Sequence, residues 1–271
     1  MRCEDLEVVA EDLMEDRYSV LNSAASQSMQ GPPVVSRELP LKRSDFVALY
    51  KDVLTQQEKN ELADLELTND TVYYAGDILQ RKVAQSAYEN KDDEDGYYVL
   101  QQGNQILYRF EVLKVLGKGS FAQVVSAIDH LHGVKVAVKI NRNTEIDHKF
   151  AQQEGKLLRF LMAEDPRDEH NIVRLVEHVH FRQHQCFVFE LLNTDLFEHL
   201  KENEFMGFEE SQIRSYAAQL LKALVFLEER KVIHCDLKPE NILCVDPARQ
   251  QLKVVDFGSG CLTHEQVYTY V

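Results

Sequence analysis

Asp236, Asn241 and Asp256 are oxygen-bearing side chains set beside short apolar runs. Val232-Ile233 leads into His234-Cys235-Asp236-Leu237-Lys238-Pro239-Glu240-Asn241, Ile242-Leu243-Cys244-Val245 leads out, and Leu252-Lys253-Val254-Val255 delivers Asp256-Phe257-Gly258. Each polar residue therefore stands at the end of a short strand-like run. The chemistry such a set suits is phosphoryl transfer. A phosphoryl group in transit carries charge on several oxygens, so its site needs metal-holding oxygens on one side and a carboxylate beside the nucleophile on the other. Taken alone, Asp256-Phe257-Gly258 reads as a turn before a loop.

The residues 234 to 241 resemble the protein-kinase catalytic loop, H-x-D-L-K-x-x-N, over eight consecutive positions, and the D-F-G follows. The resemblance implies that Asp236 receives the proton of the attacking hydroxyl. It implies that Asn241 and Asp256 hold Mg²⁺ against the phosphates of ATP, and it counts Lys238 among the catalytic residues. Upstream, Leu116-Gly117-Lys118-Gly119-Ser120-Phe121-Ala122-Gln123-Val124 follows a strand-like run from Tyr108 to Leu116 and is similar to the kinase glycine-rich loop. Ala122 replaces the third glycine, a departure of one methyl group. Val136-Ala137-Val138-Lys139 supplies the strand lysine, and the pattern makes Ala137 and Lys139 nucleotide contacts.

Lys139 needs a carboxylate to position it. Phe150, Glu154, Leu157, Leu158 and Leu161 recur at three- and four-residue spacing from near Thr144-Glu145, which puts Glu154 on the apolar face of a helix. Glu154 is the expected partner, and Leu158 is expected to stack toward Phe257 and His234. Cys186 to Leu192 reads as a buried strand entering a turn. By resemblance Phe189 is the gatekeeper, Glu190, Leu191 and Leu192 form the hinge that meets adenine, and Leu243 also contacts the nucleotide. Ser211 to Leu227 has the apolar spacing of a core helix supporting the catalytic loop.

Three features narrow the family. Cys235 stands where kinases usually carry arginine, Asp256 to Cys261 reads D-F-G-S-G-C, and Tyr268-Thr269-Tyr270 forms a Y-x-Y pair. Together they resemble the dual-specificity tyrosine-phosphorylation-regulated kinases, the DYRK family. Asp92 to Val99 with Tyr108 to Glu111 is similar to that family's acidic DH box, and Ala48 to Thr55 and Tyr73 to Gly76 are similar to the accessory segments of class II members. The resemblance implies autophosphorylation of Tyr270, then phosphorylation of Ser and Thr in protein substrates, in cytoplasm or nucleus.

The fold expected is α+β: a bilobal kinase with an antiparallel N-lobe sheet and helix αC over 110–192, and an incomplete helical C-lobe over 193–271. Residues 1–40 are expected to be disordered and 41–109 to form the accessory region, with Thr55-Gln56-Gln57-Glu58 as a capping box. The sequence ends at Val271, before the A-P-E segment and the later C-lobe helices, so the chain is expected to be a fragment or a truncated product. A non-catalytic nucleotide-binding or regulatory module is the alternative reading.

The formal charge is −15, of which −10 falls in the first 110 residues. That sign disfavours nucleic acid and anionic membrane as partners, and no apolar run reaches spanning length. Five cysteines without C-x-x-C spacing argue against a disulfide framework or a structural zinc site, and Cys186, Cys235 and Cys244 read as buried thiols. Nothing in the sequence bears on oligomeric state.

Overall fold

The computed structural model describes residues 39–65, 67–80, 92–246 and 251–264. Of residues 1–40, assigned to disorder from composition, 1–38 lie outside the described residues, as do Tyr268 and Tyr270. The chain divides into two compact units, Met1–Thr144 with Val179–Val188 and Glu145–His178 with Phe189–Val271.

In the first unit, strand β1 (Leu41–Lys42) precedes helices α1 (Arg43–Tyr50) and α2 (Gln56–Asp64), and β1 pairs antiparallel with β2 (Thr71–Val72). Helix α2 starts where the capping box predicts. The Glu58 N–H donates to Thr55 Oγ1 at 3.2 Å and the Thr55 N–H donates to Glu58 Oε2 at 2.9 Å, satisfying two amides that the first turn leaves without helical partners. Phe46, Leu54, Leu62, Val72, Ala75 and Ile78 bury themselves in one cluster with Tyr108, and Arg43 donates to the Leu62 and Leu65 carbonyls at the end of α2.

The sheet beside them has six strands in the order β3-β4-β5-β6-β8-β7. They are β3 (Gln105–Ile106), β4 (Phe110–Lys118), β5 (Ala122–Asp129), β6 (Val134–Asn141), β7 (Leu175–Phe181) and β8 (His184–Glu190). Strand β4 starts two residues later than the sequence pattern suggests. Bulges between Val112 and Lys114 and between Val115 and Gly117 bend β4 as it approaches the glycine-rich turn.

The second unit holds α3 (Glu145–Glu164), α4 (Leu196–Glu202) and α5 (Glu210–Glu229), with the short strands β9 (Val232–Ile233), β10 (Ile242–Asp246), β11 (Gln251–Val254) and β12 (Cys261–Leu262). β10 pairs antiparallel with β11 and β9 with β12, so the segment bearing the polar residues is a pair of two-stranded ribbons. Helix α5 corrects an expectation. Tyr216, Ala223, Phe226 and Leu227 are buried, yet Ile213, Leu221, Leu224 and Val225 are exposed. Apolar spacing reports an amphipathic face but not what covers it.

Candidate catalytic and nucleotide-binding residues

The second unit assembles one cluster from the turns after β9 and β11. Asp236 Oδ2 accepts from Lys238 Nζ at 2.9 Å and from Asn241 Nδ2 at 3.0 Å, and the same Asn241 nitrogen donates to the Asp236 carbonyl at 2.8 Å. These bonds hold the carboxylate in one orientation and give it a cationic neighbour. Asp236 in turn raises the Lys238 ammonium above its ordinary pKa, chiefly by accepting its hydrogen bond. Asn241 closes the 3-10 turn Pro239–Asn241 and is buried, so its amide is fixed as well.

Beneath this loop lies His234. Its Nε2 donates to the Val255 carbonyl at 2.9 Å and its Nδ1 accepts the Asp236 N–H at 3.2 Å, which defines a neutral ring protonated on Nε2. Burial lowers the His234 pKa, in keeping with that form. The His234 and Phe257 rings lie 4.8 Å apart, and Phe257 and Leu158 are both fully buried. Cys235 and Asp256, beside these two aromatic residues, have φ of 65° and 60°, left-handed values that non-glycine residues rarely adopt. Asp256 is exposed by this bend. Cys235 is exposed too, with its Sγ 3.9 Å from that of Cys261, which corrects its reading as a buried thiol. The apolar neighbours suggested burial, but a left-handed backbone turns the side chain out. Cys186 and Cys244 are buried as expected, and burial pushes the Cys186 thiol up to about 12.

In the first unit the register of the sheet sets Gly117, Val124 and Lys139 side by side across β4, β5 and β6. Neighbouring strands lie roughly 4.8 Å apart, so Lys139 stands two strand spacings from the first loop glycine. The Gly119 N–H donates to the Ala122 carbonyl at 2.9 Å, closing the turn that holds Ser120 and the exposed Phe121. Ala122 is a buried strand residue paired with Asn141, so its extra methyl sits in the sheet and not in the turn. A Cβ at Gly117 would meet open space, the surface on which a phosphate could rest against backbone N–H groups. Leu116 is exposed, whereas Val124 and Ala137 are half-buried.

A family model described as the protein kinase domain matches residues 110–271. The fission-yeast protein named DYRK-family kinase pom1 is 41% identical over 238 residues, covering 86% of this chain and 21% of its own length. Human dual specificity tyrosine-phosphorylation-regulated kinase 3 is 37% identical over 254 residues, 93% of this chain and 42% of its own length. The Caenorhabditis elegans kinase mbk-2 is 39% identical over 230 residues, 84% of this chain and 28% of its own length. The chain belongs to the protein kinases of the DYRK family. It spans less than half the length of each of these DYRK relatives.

Within the DYRK fold, Asp236, Lys238 and Asn241 are brought together, and Asp256 follows Val255, whose carbonyl His234 holds. Glu154 is 3% exposed on α3 among Leu157, Leu158 and Leu161, as its place on the apolar stripe predicts. Phe189, Leu191, Leu192 and Leu243 are half-buried, and Leu243 bridges to Asp195. The Glu190 side chain is committed elsewhere: its Oε1 accepts Lys253 Nζ at 2.6 Å and the Arg174 N–H at 2.7 Å. Gly260 is a residue that motif reading passes over. A Cβ there would stand 2.7 Å from Leu157 Cδ2 and 3.1 Å from the Phe257 carbonyl, so a larger residue would press the Leu157 side chain and that carbonyl aside where the chain after D-F-G meets α3.

Proposed function

We propose that the protein carrying this chain is an ATP- and Mg²⁺-dependent dual-specificity kinase that phosphorylates its own Tyr270 and then Ser and Thr of protein substrates. The observation that carries the reading is the Asp236 carboxylate. One of its oxygens is saturated by Lys238 and Asn241, which leaves Oδ1 to accept the proton of an incoming hydroxyl. The fixed geometry supplies orientation, and the Lys238 charge favours the negative group that a phosphate brings.

The donor set also fits a magnesium ion. Asn241 spends its nitrogen on Asp236, which leaves its carbonyl oxygen as a ligand, and Asp256 supplies a second oxygen from an exposed position. Among the described residues no three His, Cys, Asp or Glu side chains gather as a metal site. Two protein oxygens suit a cation that takes its remaining ligands from phosphate and water. When bound, the ion would neutralise charge on the phosphates. Leu116 to Val124, Ala137 and Lys139 are assigned to the nucleotide, with Lys139 on the α- and β-phosphates and Glu154 as its positioning carboxylate. Phe189 is assigned as gatekeeper, Glu190 to Leu192 as backbone contacts to adenine, and Leu243 as an adenine contact. Residues 41–109 are assigned as an accessory region and 110–271 as the kinase domain.

The test separates binding from turnover. Millimolar ATP with Mg²⁺ should raise the melting temperature of the folded protein more than ATP alone does. Asp236→Asn should keep that shift and lower phosphoryl transfer to a Ser/Thr peptide by about 10²–10⁴-fold. Turnover close to wild type in the Asp236→Asn protein would remove Asp236 from the assigned role.

A further inference from the structure

Asp92 to Tyr98, the acidic segment before the sheet, has no part in the chemistry above, yet it is tied to the glycine-rich loop. Its own shape is fixed first. Asp93 Oδ1 accepts the N–H groups of Asp95 at 3.1 Å and Tyr97 at 2.9 Å, and Gly96 takes a φ of 82° with its carbonyl accepting the Asn143 N–H at 2.9 Å. A side chain at Gly96 would be strained by that φ and would meet Thr144 Cγ2 at 3.4 Å. Asp92 anchors the segment to the sheet through Asn143 Nδ2 at 3.0 Å and His184 Nε2 at 2.9 Å.

From this platform three contacts reach the loop. The buried Tyr97 donates its hydroxyl to the Gly119 carbonyl at 2.6 Å, Lys118 Nζ lies 3.8 Å over the Tyr97 ring, and the same ammonium pairs with Asp93 Oδ2 at 2.9 Å. The Lys118 hydrogen bond holds the Asp93 carboxyl below the usual carboxylate range. A fourth contact, from Gln123 Nε2 to the Tyr98 carbonyl, fixes the return strand.

We propose that Asp93 and Tyr97 form a latch that pre-orders the glycine-rich loop and so sets how tightly the protein holds the phosphates of its nucleotide. The inference rests on the nucleotide site proposed above. A glycine-rich turn must lose backbone freedom to grip a phosphate, and a loop already latched loses less of it on binding. Tyr97 is a positioning residue. It acts through the Gly119 carbonyl and the Lys118 ammonium.

The experiment compares ATP with adenosine, which lacks the phosphates the loop would hold. Binding of each to the full chain is measured in the presence of Mg²⁺ for wild type, Tyr97→Phe and Tyr97→Leu. Asp95→Asn serves as control because it removes a charge from the same segment outside the latch. Tyr97→Phe should weaken ATP binding about 2–10-fold by losing one hydrogen bond. Tyr97→Leu should weaken it by about a further 2–5-fold by losing the ring beneath Lys118. Adenosine affinity should stay within error of wild type in both, and Asp95→Asn should match wild type throughout. In the nucleotide-free protein, amide exchange over residues 117–122 should accelerate in Tyr97→Phe. If wild type binds ATP and the Tyr97 variants bind it equally well, or lose ATP and adenosine in parallel, the latch is wrong and the nucleotide reading stands. If wild type binds neither ligand, the nucleotide reading fails and takes the latch with it.

Discussion

His234 shows how a single side chain links protonation to the shape of the turn that carries Asp236. Its Nδ1 must stay unprotonated to accept the Asp236 N–H, while Nε2 donates to Val255. Burial lowers its pKa, and the hydrogen bond to the Val255 carbonyl, with the attraction of Asp256 and Asp236, opposes that shift without reversing it. The unfolded chain, with a histidine pKa near about 6.5, therefore binds the proton more readily than the fold does. Stability from this residue is present above that value and is lost as pH falls toward the lower folded value. Denaturation midpoints between about pH 7 and pH 5 should fall more steeply for wild type than for His234→Gln, which can still donate to the Val255 carbonyl. Equal slopes would mean that other groups carry the acid sensitivity. The residue types of this site were legible from motif spacing alone. The left-handed turns at Cys235 and Asp256 were not, because a φ value leaves no mark on composition, and so the exposure of Cys235 was misread.

At the scale of elements, β11 carries the most consequential residue that the sequence did not flag. Lys253 is 1% exposed and reaches both Glu190 Oε1 and Asp168 Oδ2 at 2.6 Å. Burial pushes the Glu190 carboxyl up, and the lysine charge pulls it back. This triad ties β11 to the end of β8 and to the loop after α3 within the second unit. Replacing one partner of a buried pair strands the others without compensation. Lys253→Met should cost about 3–5 kcal/mol of stability in chemical denaturation. Adding Glu190→Gln to it should cost less than the sum of the two single changes, by about 0.5–3 kcal/mol, because the two share a contact. Strict additivity would show that the pair is not coupled. Sequence pattern identified β11 as a strand and α3 as the bearer of Glu154, because periodicity records which face is apolar. It did not single out Lys253 within that run, since pattern alone does not reveal that a buried charge has partners eighty-five and sixty-three residues away.

At the largest scale the segment before the kinase match is built into the sheet's own unit. Tyr73 and Tyr74 donate their N–H groups to the Tyr108 carbonyl, and Tyr74 donates its hydroxyl to Gly103 at 2.9 Å. The decisive contact is Glu61 on α2. It receives Arg182 Nε at 2.7 Å and Nη2 at 3.1 Å, and it also accepts the Tyr108 hydroxyl at 2.9 Å. Arg182 sits in the β7–β8 turn and donates through Nη1 to the Tyr98 hydroxyl at 2.5 Å. Burial, reinforced by the Glu61 charge, raises the Tyr108 phenol far above its ordinary range, so the hydroxyl stays a donor at every pH at which the fold survives. Residues separated by 121 positions thus form one nearly water-free network. Arg182→Met should remove about 3–5 kcal/mol by leaving the Glu61 carboxylate without its cation. Because the network joins α2 to the sheet, amides of α2 and of β4 should share one opening free energy in native-state hydrogen exchange, and Arg182→Met should lower both together. If α2 instead exchanges through a separate low-energy opening that the substitution leaves unchanged, the segment before the kinase match is an appendage and the network does not couple it to the sheet.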